Sequence, residues 1–408
     1  MQYFSDFENI LIHAANCYGK DKLPFDERIQ FMKENGRNLR SMIDSADDKP
    51  MFTRSILEIE RVLRGEQTSL PIEFDATASG LQMLAIMAGC HTTAENVGLV
   101  NPNVRADVYN YGIGHMNSYL PESLHIGGQG GLVRDDFKDA FMPHFYFSKR
   151  EPKLIFGNKT PEHIAFLKSA YDLAPGAHAV MEDIFGAMVH RGRHETTEYK
   201  WTMPDHHTCL TRVFVKEDAK VELEELKNKN GNSSTFTHRM EINAPKEDDV
   251  SLVANVTHGT DGFVVREMKG RMEHNKADCL KVVEVGQGCR VTDRTKMVSI
   301  YEVDRILRMG DKYDGDDNTI ALTLEIIDKI MNNPWARMYT IHDAFKTLAP
   351  YCNQMRQYYV DICASMSESQ FLESILRELY GIPNLKHTKE GCGIALAEKI
   401  RGSNYAIC

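Results

Sequence analysis

The sequence predicts a mixed α/β (α+β) protein, and three observations carry that expectation. Apolar residues recur at helical spacing in DERIQFMKEN, MFTRSILEIERVL and CASMSESQFLESILREL. Short apolar runs bounded by turn residues, LPIEF and RMYTIHDAF, read as strands. Residues 195–258 are rich in β-branched and alternating stretches around a polar tip, KNKNGNSS, which reads as a long β-hairpin or, on composition alone, as a surface loop. Apolar residues make up 42% of 408 and charged residues 26%, values of a globular chain rather than a disordered, collagenous or coiled-coil one.

In chain order, helices are expected over residues 26–64, ended by Gly65 and the polar GEQTS. The strand LPIEF follows, then a helix over SGLQMLAIMAGC opened by Ser79. GGQGGL at 127–132 is a glycine-rich break with a helix after it from about Val133. Residues 285–318 are charged and irregular, with DKYDGDDN as an acidic loop. ALTLEIIDKIM is an amphipathic helix, RMYTIHDAF a strand, and the last sixty or so residues are mostly helical.

Composition narrows the chemistry. With 58 acidic against 48 basic residues the net charge is −10, so a nucleic acid would have to meet a local basic surface or a partner's charge. Nine cysteines without a CxxC pair point to reduced thiols, not to a disulfide framework or a zinc ribbon. No apolar run reaches the length of a membrane helix, and MQYFSDFENI lacks the basic and apolar regions of a secretory signal.

Three constellations stand out by their order. Asp75 ends the strand LPIEF and is followed by Ser79-Gly80-x-Gln82. Arg134, Lys138, Met142 and Tyr146 follow at intervals of four. His342-Asp343 sits inside TIHDAF. Each alone has an ordinary explanation: a turn residue, a solvated helix face, a chance pair. Together, two strand-end carboxylates can converge on one sheet edge and clamp metal ions for an in-line phosphoryl displacement. Arg134 and Lys138, one turn apart, suit the phosphates of a nucleotide as a fork and a point charge.

These segments resemble the phage-type (T-seven-like) single-subunit DNA-directed RNA polymerase family, which includes the mitochondrial enzymes. LPIEFDATASGLQ is similar to motif A, GLVRDDFKDAFMPHFYFSK to motif B, and TIHDAF to motif C. WTMPD at 201–205, NVTHGTDG at 255–262 and DVY at 107–109 resemble shorter family elements, so the likeness spans residues 70–350. The resemblance implies a right-hand polymerase palm and fingers with a long specificity-type β-hairpin, lacking the N-terminal domain and thumb. It divides the chain into a helical partner-docking segment (1–68), a first palm segment with motif A (69–100) and fingers with motif B (101–198). A second palm segment (199–262) carries the hairpin (218–245). An insertion (263–330) follows, then a third palm segment with motif C and the C-terminal helices (331–408).

What the resemblance implies about function is equally specific. Asp75 and Asp343 would hold two magnesium ions, and Lys138, helped by Arg134, would hold the triphosphate. Tyr146 would check the sugar, Gly80 would leave room for a 2′-hydroxyl where related DNA polymerases carry Glu, and His258, His342 and Tyr109 would complete the substrate site. Three positions depart from the family pattern. Phe147 stands where Gly usually follows the tyrosine, Pro143 where Thr follows the methionine, and Lys346 where Gly follows motif C. Pro143 is expected to kink the motif B helix and shift Tyr146 relative to Lys138.

Only residues 1–74 precede motif A, where complete family members carry several hundred. Within the family the chain therefore resembles the larger subunit of the two-chain RNA polymerases of N-four-like phages. That likeness implies a smaller subunit carrying the missing upstream elements, a DNA template and RNA product, ribonucleoside triphosphates, and an accessory factor for promoter opening. The setting it implies is the cytoplasm of an infected bacterial host, with no membrane involved. Two other readings use the same residues. One is an HD-type phosphohydrolase with His342 and Asp343 as metal ligands, which needs further His and Asp ligands on helices. The other is a degenerate polymerase-like subunit that binds nucleic acid without catalysis.

Overall fold

The computed structural model describes residues 1–127, 132–227, 229, 231 and 233–408. The helix α4 (Ser79–Ala88) forms its centre: Gly80 to Ala88 are buried along its whole circumference. SGLQMLAIMA is apolar all round, the pattern of a helix enclosed on every side. Around it pack α10 (Pro175–His190), α11 (Ser251–Met272) and α15 (Cys352–Glu368). The buried Gln82 of α4 is fully used: its amide donates to the carbonyls of Val97 (3.1 Å) and Ala406 (3.0 Å), and it accepts from the Tyr359 hydroxyl (2.6 Å). Such satisfaction is what makes a buried amide tolerable.

A three-stranded antiparallel sheet lies beside this helix core. Its order is β1 (Pro71–Asp75), β7 (Ala344–Leu348), β6 (Tyr339–Ile341). The register pairs Asp75 with Ala344 and Ile341 with Ala344, so His342-Asp343 is the two-residue turn of the β6–β7 hairpin. The expected strand RMYTIHDAF is thus two strands, with the His-Asp pair at the bend. His342 takes a positive φ of 54°, as a two-residue hairpin requires of a turn position.

The N-terminal region forms α1 (Asp6–Ala15), α2 (Phe25–Glu34) and α3 (Lys49–Leu63), with α1 packed on α2, α3 and β1. Helix α1 starts in a capping box in which the Glu8 amide donates to Ser5 Oγ (3.3 Å) and the Ser5 amide to Glu8 Oε2 (3.0 Å). Phe25 stacks on Tyr405 (centroids 4.8 Å apart, 13° between planes) and lies under the buried Arg356 guanidinium. Residues 1–68 are expected to dock a partner. Within this chain Phe4, Ile10, Leu11, Ile12, Phe25 and Phe52 are buried, the Phe4 amide donates to Asn353 of α15 (3.0 Å) and the Phe25 amide to the Tyr405 hydroxyl (3.2 Å), while Leu57 and Leu63 of α3 stay exposed.

The helical lobe comprises α5 (His91–Asn96), α6 (Val108–Ser118), α7 (Arg134–Phe145), α8 (Arg150–Phe156) and α9 (Pro161–Leu173). Of the glycine-rich break expected at 127–132, Gly128 to Gly131 lie outside the described residues. Two ribbons follow. Strands β2 (Glu198–Thr202) and β3 (Thr208–Arg212) pair with each other, as do β4 (Phe214–Lys227) and β5 (Ser233–Asn243). The second ribbon begins earlier than the expected 218, and Asn228, Asn230 and Asn232 of its polar tip lie outside the described residues.

Helix α11 runs through the boundary expected between 262 and 263, because NVTHGTDG continues into an unbroken helical pattern. Helices α12 (Lys276–Val285), α13 (Glu302–Met309) and α14 (Asp317–Met331) follow, so the stretch 285–318 contains one helix that its charge had hidden. Helices α16 (Phe371–Tyr380) and α17 (Gly393–Arg401) close the fold. The final residues then return to the sheet, where the Cys408 amide donates to the Asp75 carbonyl (2.9 Å) and Ala76 bridges Ile407. Among the described residues no helix is long and apolar enough to cross a membrane.

Candidate active site

One cleft of about 930 Å³ opens between the sheet, α7 and α11. Asp75, Tyr109, Arg134, Lys138, Tyr146, His258, His342 and Asp343 all line it. Gly80 lies directly beneath, against the Tyr146 hydroxyl. The candidate site residues are therefore brought to one place, from positions up to 268 apart along the chain, while Gln82 bonds within the core.

The sheet supplies a wall of carboxylates. Asp75 ends β1 and Asp343 precedes the residue paired with it, so the antiparallel register sets them side by side. The Ala76 amide donates to the Asp343 carbonyl (3.4 Å), tying the two strand ends together. Desolvation at the cleft wall, then the Asp343 and Glu73 carboxylates, push Asp75 up to about 6. A third carboxylate, Asp261 of α11, faces the same space. Burial, reinforced by Asp343, pushes it up to about 7, against the lowering effect of the Ser79 hydroxyl 3.5 Å away. Asp261 stood inside NVTHGTDG but was not singled out; its spacing three residues after His258 placed it near the same part of a helix as that histidine.

Ser79 was expected to cap α4. Ala78 occupies the cap position instead, with a left-handed backbone (φ 55°, ψ 60°). This turn frees the Ser79 hydroxyl to face Asp261. Positive-φ residues thus lie near both motif aspartates, Ala78 three residues after Asp75 and His342 immediately before Asp343. Strain of this kind gathers where surrounding structure fixes a functional geometry.

Helix α7 supplies the opposite, cationic wall. Arg134 lies in its first turn and donates through Nη2 to both carboxylate oxygens of Asp107 (3.2 Å each). Asp107 also caps α6, accepting from the amides of Tyr109 (3.1 Å) and Asn110 (3.2 Å). The Arg134 guanidinium stands 5.2 Å and the Lys138 ammonium 5.8 Å from the centre of the Tyr109 ring, within cation–π range. Burial pushes the Tyr109 hydroxyl up to about 12, so it stays protonated. Lys138 is exposed to the cleft and has no carboxylate partner among the described residues.

Tyr146 closes the cleft at the end of α7. Its ring lies 4.9 Å from that of His258. A Cβ built on Gly80 would meet the Tyr146 hydroxyl at 2.7 Å and the Thr257 methyl at 3.4 Å. Gly80 was expected to leave room for a substrate hydroxyl; the room is taken by the Tyr146 hydroxyl, so the two form one close-fitting pair. Burial, then Asp261 and Asp343, push Tyr146 up to about 12, leaving a hydroxyl that can both donate and accept.

The departures from the family pattern have local reasons. Pro143 does not break the motif B helix ahead of its end: it lies in the last turn of α7, where its carbonyl accepts from the amides of Tyr146 and Ser148 (3.0 Å each). Lys346 pairs with Glu73 directly across the β1–β7 ladder, offsetting a carboxylate two residues from Asp75. Among the described residues no three His, Cys, Asp or Glu side chains form a protein-only metal cage. The HD-type reading needs its ligands on helices, and His342-Asp343 sits on a hairpin turn. The donor set of Asp75 and Asp343 in the cleft fits magnesium, which takes few carboxylates and completes its shell with water and substrate phosphates.

A family model described as DNA-dependent RNA polymerase matches residues 5–124. That stretch contains Asp75, Gly80 and Tyr109, whereas Lys138, Tyr146, His258 and Asp343 lie beyond it. The T7 RNA polymerase of Escherichia phage T7 is 30% identical over 134 residues, covering 30% of this chain and 15% of that protein. The DNA-directed RNA polymerase of Enterobacteria phage K11 is 32% identical over 130 residues, covering 29% and 14%. The mitochondrial DNA-directed RNA polymerase of Neurospora crassa is 33% identical over 113 residues, covering 24% and 8%. The match thus spans less than a sixth of these relatives' length. The relatives of this chain are the phage-type single-subunit RNA polymerases, the family its three motifs resemble.

Proposed function

We propose that the chain is the catalytic subunit of a heteromeric phage-type DNA-directed RNA polymerase. The observation that carries this reading is the cleft itself: paired strand-end carboxylates face a free lysine and a tyrosine seated on a glycine. Asp75 and Asp343 would hold two magnesium ions, and the desolvation and carboxylate repulsion that raise Asp75 are what a bound dication offsets. Bound magnesium would stabilise the attacking and leaving oxygens of the displacement. The reaction transfers a ribonucleotide to the 3′-hydroxyl of RNA with release of pyrophosphate, and positioning and electrostatics supply most of the catalysis.

Each protein group has a defined task in that reading. Lys138 pairs with the triphosphate as an unengaged point charge. Arg134, held by Asp107, keeps its fork oriented and shares the phosphates through its remaining donors. Tyr146 offers its protonated hydroxyl to the 2′-hydroxyl, and a site built to bond a hydroxyl rejects substrates that lack it. His258 and His342 line the sugar and primer sides. Among the described residues the β4–β5 ribbon pairs only with itself and exposes nearly all of β5, a two-stranded form that a DNA major groove admits and that fits a specificity-type hairpin. A smaller subunit with the upstream elements and an accessory factor for promoter opening complete the assembly.

The test is extension of an RNA primer on a DNA template by the tagged chain purified with its co-purifying proteins. Magnesium-dependent addition of ribonucleotides over deoxyribonucleotides, lost in Asp343→Ala, is the expected result. Nucleic-acid binding without any incorporation would instead identify a non-catalytic subunit.

A further inference from the structure

We propose that Phe147 is a positioning residue for the sugar check: it ends α7 in a left-handed turn held by stacking on Phe185, and so presses Tyr146 against Gly80. The inference rests on the polymerase reading for its substrate, and on geometry for its mechanics.

Helix α7 ends in a Schellman turn. The Phe147 amide donates to the His144 carbonyl (2.9 Å) and the Ser148 amide to the Pro143 carbonyl (3.0 Å). The residue at that point must take a positive φ, which is why glycine is usual there. Here it is Phe147, at φ 67°. A bulky aromatic in this region is a true outlier and needs something to hold it. What holds it is visible. The Phe147 ring is buried and stacks on Phe185 of α10, centroids 4.7 Å apart and 15° between planes. The Lys149 ammonium covers it at 5.2 Å, and the Arg193 guanidinium covers Phe185 at 5.1 Å.

The consequence is a closed triangle. The stack ties the end of α7 to α10, α10 packs on α4, and α4 begins at Ser79-Gly80 beneath the Tyr146 hydroxyl. The left-handed turn sends consecutive side chains in opposite directions, Tyr146 toward the cleft and Phe147 into the core. A glycine at 147 would make the same turn but would anchor nothing.

Three variants test this: Phe147→Gly keeps the turn and removes the ring, Phe185→Ala removes the partner and leaves residue 147 itself unchanged, and Phe147→Trp keeps a stack. The first readout is the ratio of kcat/KM for ribonucleotide over deoxyribonucleotide addition. Loss of one aromatic pair should lower it by about three- to tenfold in Phe147→Gly and in Phe185→Ala, with no further loss in the double variant and retention in Phe147→Trp. The second readout needs no activity. It is the 19F line of 3-fluorotyrosine at position 146, assigned with Tyr146→Phe, which should be narrow in the wild type and broadened or split in both stack-removing variants. A wild type that extends no primer while the fluorine line responds as stated would sink the polymerase reading and leave the positioning role standing. An active wild type whose ratio and fluorine line survive both variants would overturn the positioning role.

Discussion

The two walls of the cleft are built by different means. On the sheet side, Asp75 and Asp343 are placed by backbone register: β1 pairs with β7, the hairpin turn falls at 342–343, and the returning C-terminal segment pins the Asp75 backbone. On the helix side, Arg134, Lys138 and Tyr146 ride on α7, whose placement depends on the Arg134–Asp107 ion pair and a stacked, strained turn at Phe147. A register holds its residues collectively, because a one-residue slip would turn every side chain of the strand over. A helix end is held by a few side chains, each of which can be removed alone. The sheet wall should therefore tolerate structural change poorly and chemical change without unfolding, while the helix wall should yield graded losses.

The largest effect expected is on the sheet wall. Asp343→Asn should keep the fold and lower ribonucleotide addition by about 1,000-fold or more, the scale of removing a principal electrostatic element. Near-normal extension with an unchanged circular dichroism spectrum would break the comparison at its root. On the helix wall, Lys138→Ala removes a charge with no carboxylate partner among the described residues and should raise the nucleotide KM by about 10- to 100-fold, the worth of one charged hydrogen bond. Arg134→Ala should cost kcat as well as KM, because it also releases Asp107 and loosens the α6 cap.

Gly80→Ala sharpens the contact between the walls. Its Cβ would lie 2.7 Å from the Tyr146 hydroxyl, so the ring must move. Discrimination between ribo- and deoxyribonucleotides should fall, by about tenfold, more than overall extension does. Equal losses with both substrates would mean that Tyr146 does not read the sugar.

A pH prediction bears on the carboxylates of the cleft, Asp75 of the sheet wall and Asp261 of α11. Asp75 and Asp261 lie at about 6 and about 7 in the fold, above the ordinary carboxylate value of 3.8. The folded chain therefore holds these protons more tightly than the unfolded one. Metal-free stability should fall as pH rises from about 4 through 7 and then level off. Magnesium should restore some of the loss above pH 7, where the carboxylates are charged, and Asp75→Asn should flatten the slope; thermal unfolding across pH reads both. The smallest effect expected is from Ala78→Gly, which relieves a left-handed alanine and should leave stability within about 1 kcal/mol of the wild type.

Much of the sheet wall was legible in the sequence. LPIEF followed by Asp75, and a His-Asp pair inside an apolar run, announce strand ends through their composition. Which residue of TIHDAF turns was not legible, since a two-residue hairpin without Gly or Asn leaves no turn signature, and His342 adopts the positive φ only because pairing on both sides imposes it. Helix α1 was announced by Ser5 and Glu8 in capping-box spacing, a signal masked by the short apolar run that follows. Helix α13 was hidden by its charges, although its apolar positions Val303 and Ile306 do recur at helical spacing and are buried.

The helix wall was legible in its motif and opaque in its supports. The i, i+4 spacing put Arg134 and Lys138 on one face, but nothing local says that Asp107, twenty-seven residues earlier, holds the arginine. Phe147 read as an anomaly in place of glycine; only the tertiary stack on Phe185 explains how an aromatic can occupy that turn. Pro143 read as a kink; it lies in the final turn of α7, which ends two residues later. In each case a long-range contact decides what a local rule leaves open.

The most direct test of the account is single-nucleotide addition to an RNA primer on a DNA template by the assembled protein, measured with magnesium for wild type, Asp343→Asn and Lys138→Ala. Two walls acting on one nucleotide predict magnesium-dependent ribonucleotide addition that Asp343→Asn abolishes at any nucleotide concentration and that Lys138→Ala recovers at high concentration. Addition that survives Asp343→Asn, or that is indifferent to Lys138→Ala at every nucleotide concentration, would contradict it.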